Sequence, residues 1–292
     1  ISGLGENLSS DIQIGNNSVY VNASGQPGLN SSANVSFYDI RTDFDNPSIL
    51  VDEDAVPPET PDGLVCSASV CQNLTDLNAG DVEFNVTHWT TYYVGENFTQ
   101  VNSCQDLTIP NWVYKLGGPV NSTGTCFNIT AENVTLDGRG GDKKITYGNS
   151  PSTDTAIGIF SEADGTVIHN CEIAMGEVAN GALERYAIYL NQSSNGSISN
   201  INASGNRQGI VIQGNSNYNN VFDNIANDNE QTGIYIITNN GSVITNNTAN
   251  NNKFGIRIYW ESDSNVMQNN TANDNSYAGF YLGPDADNNV VK

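Results

Sequence analysis

Apolar and polar positions alternate with a period of two along most of this chain, and in its second half the alternating segments recur. Ala187, Gly209, Gly233, Gly255 and Gly279 follow one another at intervals of 22, 24, 22 and 24 residues. Each opens an apolar-x-apolar triplet: Ile188–Leu190, Ile210–Ile212, Ile234–Ile236, Ile256–Ile258 and Phe280–Leu282. A fixed period of this size marks a solenoid, whose units bury their apolar faces only against their neighbours. Period-two alternation inside each unit makes the units strands. The expected fold is all-β, with a right-handed parallel β-helix as its larger part.

A second set of columns sets the register. Val167, Ser197, Val221, Val243, Val266 and Val290 align, as do Ile168, Ile198, Phe222, Ile244, Met267 and Val291. Further on stand Asn170, Asn200, Asn224, Asn246 and Asn269, which this alignment predicts as a stacked asparagine ladder. A buried ladder residue has no room for a glycan, so Asn246 and Asn269 are expected to be unmodified although each begins an acceptor sequence. Earlier rungs are expected at Phe127–Ile129, Val134–Leu136 and the triplet Ala156–Ile159. The insertion between Ile173 and Tyr186 is expected to project as a loop. Stacked at about 4.8 Å, six to seven rungs make a rod roughly 30 Å long.

Residues 1–96 lack the repeat. Short alternating segments at 11–14, 18–21, 34–38, 48–51, 82–86 and 91–94, separated by turn-rich stretches such as 56–63, predict an immunoglobulin-like β-sandwich. The β-helix domain is expected over 97–292, with 97–126 as its N-terminal cap. The chain has no initiator Met and stops in mid-rung, and is read as a segment of a mature protein.

The formal charge is -22, from 32 acidic and 10 basic residues. Such a chain cannot neutralise nucleic-acid phosphates, and no apolar run is long enough for a membrane helix. Asn-x-Ser/Thr acceptors are dense: Asn7, Asn16, Asn22, Asn30, Asn34, Asn73, Asn85, Asn97, Asn121, Asn128, Asn133, Asn191, Asn195, Asn202 and Asn240. Their crowding before residue 135 predicts an N-glycosylated extracellular protein, at the cell surface or in a secreted filament. An oxidising compartment pairs Cys66 with Cys71 and Cys104 with Cys126, leaving Cys171 inside the solenoid.

With two His and no paired Cys-x-x-Cys motifs, no metal site or other cofactor is expected. A weak Ca²⁺ contact is the most the acidic turns offer, because no Asp-x-Asp-x-Asp-Gly loop exists. An enzyme acting on glycosides needs two carboxylates facing each other across a sugar. The outward residues of the triplets, Tyr189, Val211, Tyr235, Arg257 and Tyr281, include none. Glu261, Asp263, Asp285 and Asp287 form the best acidic patch, with Arg257 nearby, and are read as solvated turn carboxylates. Tyr189, Tyr235, Tyr281 and Trp260 form a candidate glycan or interface face, with ordinary strand propensity as the alternative.

From Asn121 to Gly138 the chain resembles the first coil of right-handed parallel β-helix (PbH1, NosD-like) repeats in archaeal cell-surface proteins, and 70–92 is similar to the β-sandwich modules that alternate with them. Gly138 stands where a second Cys often follows Leu-Asp in those repeats, which implies that Cys126 pairs elsewhere, with Cys104. The resemblance implies fold and surface location, since the repeat serves enzymes, transport-associated proteins and scaffolds alike. Two functions are expected. The first is a non-enzymatic structural module of a filament, sheath or surface layer. Its partner would be itself, head to tail through strand donation by 11–21 or end stacking. The second is a polysaccharide-binding protein, or a lyase or hydrolase, using the solenoid face.

Overall fold

The computed structural model describes residues 12–15, 17–23, 25, 27–42, 44, 46–52, 64–139, 143–149, 155–176 and 185–292. The chain divides into two compact units, Ile1–Phe98 and Thr99–Lys292. The turn-rich stretch 56–63, and Asn7 and Asn16, lie outside the described residues.

In the first unit two antiparallel sheets share one core. Five strands run in the order Ile12–Ile14, Ser18–Val21, Thr91–Glu96, Pro47–Asp52, Leu64–Val65, and three in the order Ala33–Phe37, Val82–Val86, Cys71–Asn73. Inward positions alternate along the strands, so Val19, Val21, Val35, Phe37, Ile49, Phe84, Tyr92 and Val94 meet in the middle. The Cys66–Cys71 disulfide is formed beside them. Ser18–Val21, within the segment 11–21 named for strand donation as the alternative to end stacking, is held between Ile12–Ile14 and Thr91–Glu96, with Val19 and Val21 buried in its own sheet.

The second unit is a parallel β-helix. Its first sheet stacks eight strands: Gln105–Leu107, Phe127–Ile129, Ala156–Ser161, Arg185–Asn191, Gln208–Gln213, Thr232–Ile237, Phe254–Tyr259 and Ala278–Leu282. Its second sheet stacks nine, from Phe98–Val101 through Val113–Leu116, Thr135–Asp137, Val167–His169, Ser197–Ser199, Asn220–Phe222, Val243–Thr245 and Val266–Gln268 to Val290–Val291. The third sheet has strands at Val120–Asn121, Lys144–Tyr147 and Glu172–Met175, then narrows to single bridges at Asn202, Ile225, Thr248 and Thr271.

Ile188, Ile210, Ile234 and Ile256 stand in one file, extended by Ile159 below and Phe280 above. The four are fully buried. At about 25 cal/mol per Å² of apolar surface removed from water, each such side chain stabilises the rod by roughly 1.5–3 kcal/mol.

The register departs from expectation in four places. The segment 97–126 already coils: Gln105–Leu107 lies under Phe127–Ile129 and Val113–Lys115 under Thr135–Asp137, one rung earlier than the repeat pattern begins. Cys104 and Cys126, each just before these paired strands, form a disulfide between stacked rungs. The triplet of the Ala156–Ser161 strand begins at Gly158, two residues later than expected, because the small residue must sit under Ala187. Ala174 and Met175 continue the third sheet instead of opening a loop, and residues 177–184 lie outside the described residues. Finally, Asn220 and not Val221 pairs with Ser197 and Val243, which moves that rung by one residue.

The last shift corrects the ladder. Asn170, Asn200, Asn246 and Asn269 have left-handed backbone (φ 57, 52, 57 and 55°) and occupy the turn column, where that rung has Asp223. Asn tolerates this conformation better than most residues. Asn246 and Asn269 are exposed, so the reason for expecting them to be unmodified disappears. The ladder runs one residue later, through Asn224, Asn247 and Asn270. Asn224 Nδ2 donates to Asn247 Oδ1 at 2.9 Å, and Asn247 Nδ2 to Asn270 Oδ1 at 3.0 Å. Their amides also serve backbone groups of the rung below: Asn224 Nδ2 reaches Ile198 O and Asn247 Nδ2 reaches Val221 O. Another stack, Asn206, Asn229, Asn252 and Asn275, takes the backbone N–H of each residue on the Oδ1 of the next.

Candidate functional site

The outward face of the first sheet is built by a local irregularity. Before each triplet two successive residues, such as Ala187 and Ile188, both point inward, so outward side chains fall three residues apart, as at Tyr186 and Tyr189. The central outward file is Phe160, Tyr189, Val211, Tyr235, Arg257 and Tyr281. Beside it runs Tyr186, Gln208, Thr232, Phe254 and Ala278.

Two aromatic groups result. Tyr189 lies 4.8 Å from Tyr186 and 5.6 Å from Phe160, centroid to centroid. Val211 separates this group from a larger one centred on Arg257. The guanidinium carbon of Arg257 stands 4.2 Å from the Tyr259 centroid, 4.7 Å from Phe254, 4.8 Å from Tyr235 and 5.4 Å from Tyr281. Tyr277 lies 4.7 Å from Phe254, and Trp260 6.0 Å from Tyr259. Trp260 and Tyr277 are well exposed, at 56% and 65%. Burial raises the Tyr235 hydroxyl pKa, which the Arg257 charge partly opposes. Among the described residues Arg257 forms no ion pair, and its Nε is buried without a hydrogen-bond partner.

Tyr189, Tyr235, Tyr281 and Trp260 thus share this surface, and the sequence missed Phe160, Tyr186, Phe254, Tyr259 and Tyr277. Phe160 was lost to the two-residue register error. Tyr186 and Phe254 carried a usable signal, since each directly precedes the small residue that opens a triplet.

The acidic patch does not gather around the aromatics as a catalytic pair. Asp263 Oδ1 accepts the Asp287 N–H at 2.7 Å, continuing a turn column in which Asn240 Oδ1 accepts the Asp263 N–H. Glu261 and Asp285 are exposed turn residues with left-handed backbone. Of the glycan acceptors, Asn30, Asn34, Asn73, Asn121, Asn133, Asn195 and Asn202 are exposed, and Asn22, Asn85, Asn97, Asn128, Asn191 and Asn240 half-buried.

A second polar cluster lies on the other sheet. Lys115 Nζ stands 3.6 Å from Asp137 Oδ2 with both side chains nearly buried, and Asp137 Oδ1 accepts from Asn170 Nδ2 and the Arg139 N–H. Cys171 lies beside it, its Sγ donating to His169 O at 3.3 Å. Burial, helped by the Asp137 charge, pushes the thiol up to about 12 from 9.0. A thiol that stays protonated in the folded chain adds stability below pH 9 that is lost as pH rises from 9 toward 12. Cys171→Ala should therefore show a shallower fall in unfolding free energy above pH 9, by up to about 1.4 kcal/mol per pH unit. Parallel parent and variant curves would contradict this titration.

Residues 120–292 match the protein family described as "Periplasmic copper-binding protein (NosD)". Among solved structures, the mannuronan C-5 epimerase AlgE6 A-module of Azotobacter vinelandii is similar over 64% of this chain and 71% of its own, at 15% identity and a TM-score of 0.33. None of the curated proteins matches the chain. Copper favours imidazole, thiolate and thioether ligands. The sequence holds two His and two Met, and four of its five Cys are in disulfides. Met267 is buried in the core, His88 and His169 belong to different units, and no cluster of three His, Cys, Asp or Glu exists among the described residues. Among the described residues these donors are not gathered into a set that fits a copper centre.

Proposed function

Because the chain belongs to the NosD family, we propose that it is an exported β-helix protein that holds an extended polysaccharide against the aromatic face of its first sheet. The observation that carries this reading is the two groups of rings, Phe160, Tyr186 and Tyr189, then Tyr235, Phe254, Tyr259, Tyr277 and Tyr281, on the outward side of one sheet. Aromatic faces stack on the apolar faces of sugar rings while hydroxyls stay hydrated at the edges. Strands fixed by parallel pairing, on both sides for all but the terminal Ala278–Leu282, position such rings before a ligand arrives, so less order remains to be imposed on binding.

Binding without turnover is part of the proposal. The six strands from Ala156–Ser161 to Ala278–Leu282 contain no Asp or Glu, so this face lacks the paired carboxylates of glycoside hydrolysis. Export is supported by the family description, the two disulfides and the density of glycan acceptors. Among the described residues no helix is long and apolar enough to cross a membrane. A filament or surface-layer role, the first of the two functions expected, rests on acceptor density, charge and the lack of a catalytic constellation. None of these points to a surface, whereas the aromatic groups do, so the binding reading takes precedence.

Affinity electrophoresis of the whole chain through gels containing single polysaccharides tests this. At least one polysaccharide should retard it. Tyr281→Ala combined with Trp260→Ala should weaken that retardation about tenfold, at roughly 0.5–1.5 kcal/mol per lost stacking contact. Unhindered migration through every polysaccharide would sink the proposal.

A further inference from the structure

We propose that the group recognised at this site is a carboxylate, so that the ligand is an acidic, uronate-bearing polysaccharide paired with Arg257. The inference rests on the carbohydrate-binding reading and goes beyond it in naming the ligand's chemistry.

Charge is distributed unevenly. The protein carries 32 acidic residues, yet none lies within the six strands that form the aromatic face. Two basic residues, Arg185 and Arg257, lie on these strands; Arg207 and Lys253 directly precede two of them, as Glu184 directly precedes a third, and Glu162 directly follows the first. Arg207 and Lys253 belong to one edge column, with Gln231 between them. Arg185 is buried and donates to Gly148 O, so it serves the fold. Arg257 is different. Rings surround it, its Nε lacks a partner, and it forms no ion pair among the described residues.

Cation–π contact holds a guanidinium through its flat face and leaves its in-plane N–H donors unused. Nε is buried, so the terminal Nη1 and Nη2 groups are the donors that a carboxylate could meet, two parallel bonds at a time. A carboxylate would pair a partly desolvated charge that has no ion-pair partner among the described residues. The strands themselves carry no carboxylate, so the protein's acidic side chains lie off the central file, and charges beyond about 8 Å are largely screened at physiological ionic strength. The net charge therefore does not bar a polyanion from this strip.

Polygalacturonate and its fully methyl-esterified form share one backbone and differ in charge. The parent chain should bind the acid form about tenfold or more tighter than the ester, as a charge-assisted bidentate pair implies. Arg257→Gln should remove that preference while retaining ester binding. Arg257→Lys, a point charge without the fork, should restore only a small part of it. Thermal melts of both variants identify any that fail to fold, and the preference of the folded parent stands as an independent measurement.

Equal binding of acid and ester by the parent would overturn the carboxylate assignment and leave carbohydrate binding standing. No binding of any polysaccharide would overturn both. A parent chain that self-associates, with Arg257→Gln making it monomeric and leaving retardation unchanged, would assign the face to a second copy and overturn the proposal.

Discussion

Asn247→Ala is expected to destabilise the β-helix by about 3 kcal/mol or more, whereas Asn246→Ala next to it should cost about 1 kcal/mol or less. Asn247 is 1% exposed. Its Nδ2 donates to Val221 O and Asn270 Oδ1, and its Oδ1 accepts from the backbone N–H and the Nδ2 of Asn224. Alanine removes all four bonds, strips partners from Val221 O and Asn224 in the rung below, and takes one of the two bonds accepted by Asn270 Oδ1 in the rung above. Each buried group left unsatisfied costs roughly 1–3 kcal/mol, discounted here because Asn224 Nδ2 keeps its bond to Ile198 O. Asn246 is exposed, and alanine there pays only for its left-handed backbone. Urea unfolding of the two variants separates these outcomes. Equal midpoints would show that the amide stack does not stabilise the rod.

The second large effect is steric. Gly255→Val should lower stability by about 3 kcal/mol, or prevent folding of the upper rungs. A Cβ at Gly255 would stand 2.5 Å from Gly279 O, 2.7 Å from Asn275 Nδ2 and 2.8 Å from Ala249 O. Two of these atoms are backbone, which cannot yield as a flexible side chain does. Gly118, by contrast, has open space around its Cβ position and an ordinary φ, so Gly118→Ala is the matching control. Circular dichroism melts report both. A Gly255→Val chain as stable as the parent would mean the rungs are not packed this closely.

Much of this architecture was legible because the repeat is strict where it matters. The small residues at 187, 209, 233, 255 and 279 occupy positions where neighbouring backbones approach, so few substitutions fit, and the Ile files follow from them. The asparagine columns were harder. Asn is favoured both in left-handed turns and in buried amide stacks, and the two roles sit side by side at Asn246 and Asn247. Composition cannot distinguish them, and one misplaced rung at Val221 was enough to interchange them. The site was half visible for a related reason. Tyr189, Tyr235 and Tyr281 keep the triplet period, but Phe254 meets Arg257 through the doubled inward step, which a strict period of two does not register, and Tyr277 reaches Phe254 from the next column.

The side-by-side columns also govern how such a rod is copied and lengthened. A rung displaced by one residue would bring turn asparagines into the amide stack and, in the same movement, send isoleucines outward, so every column rejects the error together. Equally, a unit that satisfies the neighbour below presents the same demands to the neighbour above. Duplication of one such unit therefore extends the molecule without redesign of any existing layer.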